Sequence, residues 1–138
     1  RMQLDLTITL PGLFDLENMV LLSNETGLEL LTKQVFNFSH DNAMSPLFMP
    51  YNIMCEMIEE VKEKTIKYKN KNLKNFFQQL DEMVSQKRNN ELVHDEKKYI
   101  EGQKKGKAQI EYLDRIRNTD ITKILCSNKK ALEWWKNI

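Results

Sequence analysis

With 138 residues, the chain has the length of one ordinary domain, long enough to bury a core without disulfide or metal staples. Its 41% hydrophobic and 30% charged residues exclude global disorder, and only four glycines and three prolines argue against an all-β chain, which needs many tight turns. The formal net charge of +1 hides an asymmetry: residues 1–60 hold nine acids against two bases, and residues 61–138 hold nineteen bases against eleven acids.

Residues 4–10 alternate apolar and polar positions with β-branched side chains, the period of a strand, and Pro11-Gly12 ends the run. No second strand is evident, so residues 1–12 are expected to form an extended arm that pairs with another chain. Residues 13–22 and 27–36 read as two short apolar helices divided near Ser23-Asn24. A loop follows at residues 40–46.

Pro50 suits the first turn of a helix over residues 51–69, whose apolar stripe is Met54, Met57, Ile58, Val61, Thr65 and Tyr68. A second long helix begins near Leu73 with Phe76, Phe77, Leu80, Met83 and Val84 on one face. Its pattern lapses at residues 86–90. A third, over residues 95–117, carries Tyr99, Ile100, Ile110, Leu113 and Ile116, with Gly102 and Gly106 weakening its middle. Ile121, Ile124 and Leu125 make a short turn, and Asn128 caps a last segment containing Leu132, Trp134, Trp135 and Ile138. The expected fold is all-α: a single domain over residues 1–138, a bundle of four to six helices with a short N-terminal extended segment and long central helices within residues 51–117.

No apolar run approaches the roughly 20 residues that span a bilayer, and the first residues lack the apolar stretch of a signal peptide. Two cysteines make neither a disulfide scaffold nor a cysteine zinc site, and the sequons at Asn24 and Asn37 read as chance matches in an Asn-rich chain. A reducing, cytoplasmic setting is expected. The pairs His40-Asp41 and His94-Asp95 lack the helical spacing of a zinc site, and no serine or cysteine sits in a nucleophile turn, so neither metal nor cofactor is expected.

Trp134 and Trp135 stand beside Lys129, Lys130 and Lys136, a mixture that can bind single-stranded nucleic acid by stacking and phosphate contact. The competing reading places one tryptophan in the core and the other at a packing seam. The methionines Met44, Met49, Met54 and Met57 can form an adaptable partner groove or fill a core.

The sharpest local signal is Arg88-Asn89-Asn90-Glu91-Leu92-Val93-His94. It resembles the motif of the HEPN family: an arginine, a polar residue that is often asparagine, and a histidine after four to six intervening residues. The resemblance implies a helical, often dimeric protein that cleaves RNA without a metal. Arg88 would then clamp phosphate, His94 would transfer a proton, and Asn89 would orient the histidine or the backbone. Basic residues of the C-terminal half, Lys104, Lys105, Lys107, Arg115 and Arg117, would hold the polyanion. The plain alternative is a charged helix end where Arg88 pairs with Glu91 and His94 is solvated.

Six residues of unbroken helix would set Arg88 and His94 about 120° apart, so their convergence needs a helix break near Asn89-Asn90 or a second subunit. The first functional expectation is therefore an RNA-cleaving toxin or defence protein acting as a homodimer. The second is a non-enzymatic module that binds a protein partner through its apolar N-terminal arm and Met/Trp surface.

Overall fold

The computed structural model describes residues 2–34, 42–92 and 96–138, without side-chain detail for residues 89–92. The chain is mostly helical, with one small two-stranded parallel sheet. In order, β1 (Gln3–Ile8) is followed by a 3₁₀ turn (Pro11–Asp15), α1 (Leu16–Thr26) and β2 (Glu29–Gln34). After a second 3₁₀ turn (Pro46–Phe48) come α2 (Tyr51–Thr65), α3 (Lys74–Leu92), α4 (Glu96–Arg117), α5 (Thr122–Leu125) and α6 (Lys129–Lys136).

The sheet corrects two expectations. Residues 27–36 were expected to be helical, yet residues 29–34 form β2. The arm was expected to lack a partner, yet β1 pairs with β2 in parallel from Gln3 opposite Glu29 to Ile8 opposite Gln34. The cause lies at Gly27, which adopts a left-handed backbone (φ 69°) and donates its N–H to the Ser23 carbonyl at 2.9 Å, ending α1 at Thr26. Ser23 is buried, and its hydroxyl donates to Leu28 O at 2.6 Å, turning the chain into the strand. Leu30, Thr32 and Gln34 then share the buried face of β2, a period of two within a leucine-rich segment. Asn75 Oδ1, on α3, accepts from Thr32 N at 2.6 Å, and Asn72 Nδ2 donates to Gly27 O at 3.1 Å, so the chain around the start of α3 is stapled to β2. With the arm satisfied inside its own chain, an unpaired strand no longer argues for self-association.

The helical stripes of the central segment fall where periodicity places them. Met54, Met57, Ile58 and Thr65 of α2 are buried, with Val61 and Tyr68 half-buried. The Thr65 hydroxyl donates back to Val61 O at 2.6 Å, which satisfies the one polar group on that face. Phe76, Phe77, Leu80 and Met83 of α3 are buried beside them in one continuous core with Leu13, Leu16 and Val20. Met49 joins that core and Met44 is exposed, so most of the methionine-rich stretch is core filling.

Helices α3 and α4 add two findings that the sequence pattern left open. The helix does not stop near Asn89-Asn90: α3 continues through Leu92, because the few tenths of a kcal/mol that asparagines cost do not outweigh a continuing hydrogen-bond ladder. The sequence pattern gives α4 the apolar residues Tyr99, Ile100, Ile110, Leu113 and Ile116. Ile110 is buried and Leu113 half-buried, but Ile100, Tyr112 and Ile116 are exposed, and the face that α4 turns inward is Gly102, Gln103, Gly106 and Ile110. The glycines that weaken the helix thus lie on its buried side.

Helix α4 ends at Asn118, in the left-handed region at φ 53°. Asp114 holds the turn by accepting from the Thr119 hydroxyl at 2.7 Å and Ile121 N at 2.9 Å. The Thr122 hydroxyl and N–H both donate to Asp120, which keeps that carboxyl below its ordinary pKa. Asn128 caps α6 as its sequence position indicates, its side chain accepting from Ala131 N at 3.1 Å.

Two substitutions probe this interior. Leu80→Ala should cost about 2–5 kcal/mol in chemical denaturation, through lost transfer energy and the cavity left behind. Gln34 is 4% exposed and neither polar atom of its amide has a partner among the described residues. Gln34→Met should therefore raise stability by about 1 kcal/mol, since a buried unpaired amide is a net cost. A Leu80→Ala loss below about 1 kcal/mol, or a destabilised Gln34→Met, would contradict the packing described.

Candidate functional site

The candidate site lies at the end of the molecule where α3 hands over to α4. Arg88 is exposed on the penultimate turn of α3, and Asn89 follows it in the same helix. His94 lies outside the described residues, in the connection between Leu92 and Glu96. His40, Asp41 and Asp95 lie outside them as well. Among the described residues, no group of three or more His, Cys, Asp or Glu side chains is placed to hold a metal.

Lys87, one residue before Arg88, is buried at 2% exposure, and its ammonium stands 5.3 Å over the Tyr99 ring of α4. That contact ties the last turns of α3 to the first turns of α4. Tyr99 also lines a cleft of about 750 Å³ formed by Pro50-Tyr51-Asn52, by Glu96, Ile100, Gln103 and Lys104 of α4, and by Trp134, Asn137 and Ile138. Its walls are mainly aromatic and aliphatic, with Gln103 buried and the polar Asn52, Glu96, Lys104 and Asn137 exposed, the usual make-up of a ligand site.

The cleft is set by one buried amide. Gln103 Nε2 donates to Phe48 O at 2.8 Å, and Gln103 Oε1 accepts from Trp134 Nε1 at 3.0 Å. Phe48 and Trp135 meet the Trp134 ring edge-on, at centroid distances of 5.6 and 5.9 Å, so neither ring lies flat against it. Trp135 is buried and Trp134 half-buried, which divides the tandem pair between core and cleft wall.

The five basic residues expected to hold a polyanion are dispersed. Lys104 is exposed at the cleft rim and has no ion pair among the described residues. Lys107 is half-buried, with its ammonium 2.8 Å from Trp135 O and 4.0 Å from a Glu111 oxygen, so it helps to seat α4 on α6. The Arg115 guanidinium lies 6.0 Å from the centre of the Tyr112 ring. Lys104 and Arg115, eleven residues apart, fall on about the same side of α4, whereas Lys105 and Arg117 point along other directions. Part of the charge asymmetry is neutralised within the fold: Lys130 pairs with Glu56 at 2.8 Å and Lys64 with Glu17 at 3.9 Å, both at the surface.

Sequence reasoning singled out Arg88, Lys104 and Trp134 but missed the cleft that joins the last two. Its parts come from residues near 50, 100 and 135, which no spacing rule connects. The chain matches no protein-family model, no curated protein and no solved structure.

Replacing Gln103 tests whether its amide sets this geometry. Gln103→Met removes both hydrogen bonds and strands Phe48 O and Trp134 Nε1, so stability should fall by about 1–3 kcal/mol and the near-UV dichroism of the tryptophans should weaken. An unchanged spectrum with unchanged stability would show that the cleft is held by other contacts.

Proposed function

We propose that the protein acts on RNA, with Arg88 and His94 forming a metal-independent cleaving pair and Asn89 orienting the histidine. The observation that carries this reading is the end of α3. Its penultimate turn presents the exposed Arg88 with Asn89 directly after it, and the helix runs unbroken to Leu92. That His94 meets Arg88, within one chain or across a dimer, is part of the proposal.

RNA carries its own nucleophile, so the protein's task is proton transfer and charge stabilisation. His94 takes the proton of the 2′-hydroxyl, the role to which imidazole is suited at neutral pH. The oxygen attacks the adjacent phosphorus, the bond to the 5′-oxygen breaks, and that oxygen is protonated from water. The products are a 2′,3′-cyclic phosphate and a 5′-hydroxyl. Arg88 holds two phosphate oxygens as negative charge accumulates. Lys104 and Arg115, on one side of α4, supply a cationic track for the flanking phosphates. A homodimer that sets two such motifs across a shared groove is part of the same proposal.

A second reading, a protein-binding module without catalysis, is favoured by Tyr112 and Ile116. These are 55% and 63% exposed, one turn apart on α4. Single exposed apolar residues are common, but an adjacent pair on a long helix offers a ridge to a partner.

The two readings part in one assay. Single-stranded RNA incubated with the protein in EDTA should be cleaved, and Arg88→Ala and His94→Ala should each lower the rate by about 100-fold or more at unchanged melting temperature. Equal cleavage by parent and variants would assign the activity to a contaminant and leave the binding module.

A further inference from the structure

We infer that the cleft between Pro50-Tyr51-Asn52, α4 and α6 is a nucleobase-binding site, taking a base that carries an exocyclic amine and placing the attached phosphate at Lys104. The inference rests on the RNA reading for the kind of ligand, but its test requires neither Arg88 nor His94.

Three features select this ligand class. The cleft presents Tyr51, Tyr99 and Trp134 within about 750 Å³, in the size range of small-molecule sites. Trp134 is held in place before any ligand arrives, by its bond to Gln103 and its edge contacts to Phe48 and Trp135. A fixed indole that no neighbouring ring covers flat is a ready platform for a planar ring, and stacking on such platforms contributes about 1–3 kcal/mol per base.

The second feature is what the floor cannot do. Both ends of the Gln103 amide are occupied by Phe48 O and Trp134 Nε1, so the floor offers shape and little hydrogen bonding. The polar edge of a ligand must be read at the rim, by Asn52, Asn137 and Glu96.

The third feature is charge. Glu96 and Lys104 both line the cleft, and neither has an ion-pair partner among the described residues. They lie eight residues apart, about 12 Å along α4. A ligand that complements both has hydrogen-bond donors at one end and an anion at the other. A nucleotide with an amino-bearing base fits that polarity: the amine donates to the Glu96 carboxylate while the phosphate meets the Lys104 ammonium.

The test uses adenosine 5′-monophosphate as probe and ribose 5-phosphate as its base-free control, with the full chain, followed by tryptophan fluorescence and repeated by calorimetry. The expected result is saturable quenching by the nucleotide and none by the sugar phosphate. Ile100→Glu, at a position 47% exposed and so safe for folding, should abolish the response by filling the cleft with charge. Lys104→Ala should weaken binding by about tenfold and flatten its salt dependence. Uridine 5′-monophosphate should bind more weakly than the adenine nucleotide, and Glu96→Gln should narrow that difference.

No saturable binding up to millimolar nucleotide, or binding unchanged in Ile100→Glu, overturns the inference, as does tight seating of an apolar helical peptide in the cleft with no nucleotide response. Nucleotide binding without RNA cleavage would uphold this site and sink the Arg88–His94 reading. Cleavage that depends on Arg88 and His94 but shows no nucleotide binding would do the reverse.

Discussion

The seating of α4 depends on the side-chain amide of Gln103. This helix is 22 residues long and polar, and three of its larger apolar residues, Ile100, Tyr112 and Ile116, face solvent. Its inward face offers Gly102, Gly106 and Ile110, which allow close approach but bury little side chain. The two hydrogen bonds of Gln103 and the bond from Lys107 to Trp135 O therefore decide where the helix lies. Each is worth about 1 kcal/mol net, far less than a packed leucine, so α4 is the long element least firmly held. Regions of this kind open locally before the rest of the fold does.

The proposed function draws on two parts of this arrangement. The firm part of the molecule is the core shared by α1, α2, α3 and the β1–β2 pair, with fully buried Phe76, Leu80 and Ile58. It fixes the direction of α3 and hence the position of Arg88. The loosely held part carries the cleft and the first turns of α4, which follow the residues that include His94. The contact of Lys87 with Tyr99 joins the turn of α3 that carries Arg88 to the wall of the cleft.

How much of this could be read from the sequence differs from element to element. The stripes of α2 and α3 were legible because their burial follows a helical period over many residues, and the Asn128 cap because its chemistry is local. Strand β2 was not legible: Leu30 and Leu31 look alike in sequence, and only the left-handed Gly27 and the pairing with β1 separate an inward from an outward leucine. The run of α3 past Asn89-Asn90 was hidden for the same reason, since a weak local preference yields to a helix already formed. At the site, the Arg88 motif and Trp134 were visible as residues. The role of Gln103 was not, because nothing in a glutamine within a lysine-rich segment marks it as buried between Phe48 and Trp134.

The most direct measurement is a titration of the protein with a single-stranded RNA carrying 2′-O-methyl groups, which binds but lacks the nucleophile, followed by backbone and indole N–H resonances. The expected result is a saturable set of shifts concentrated on the Trp134 indole, on the amides of residues 96–104 and on those of residues 86–88, with the indole of buried Trp135 moving less. Shifts confined to the α1 and β2 side, or no saturable shift at all, would contradict the assignment of this end of the molecule to RNA.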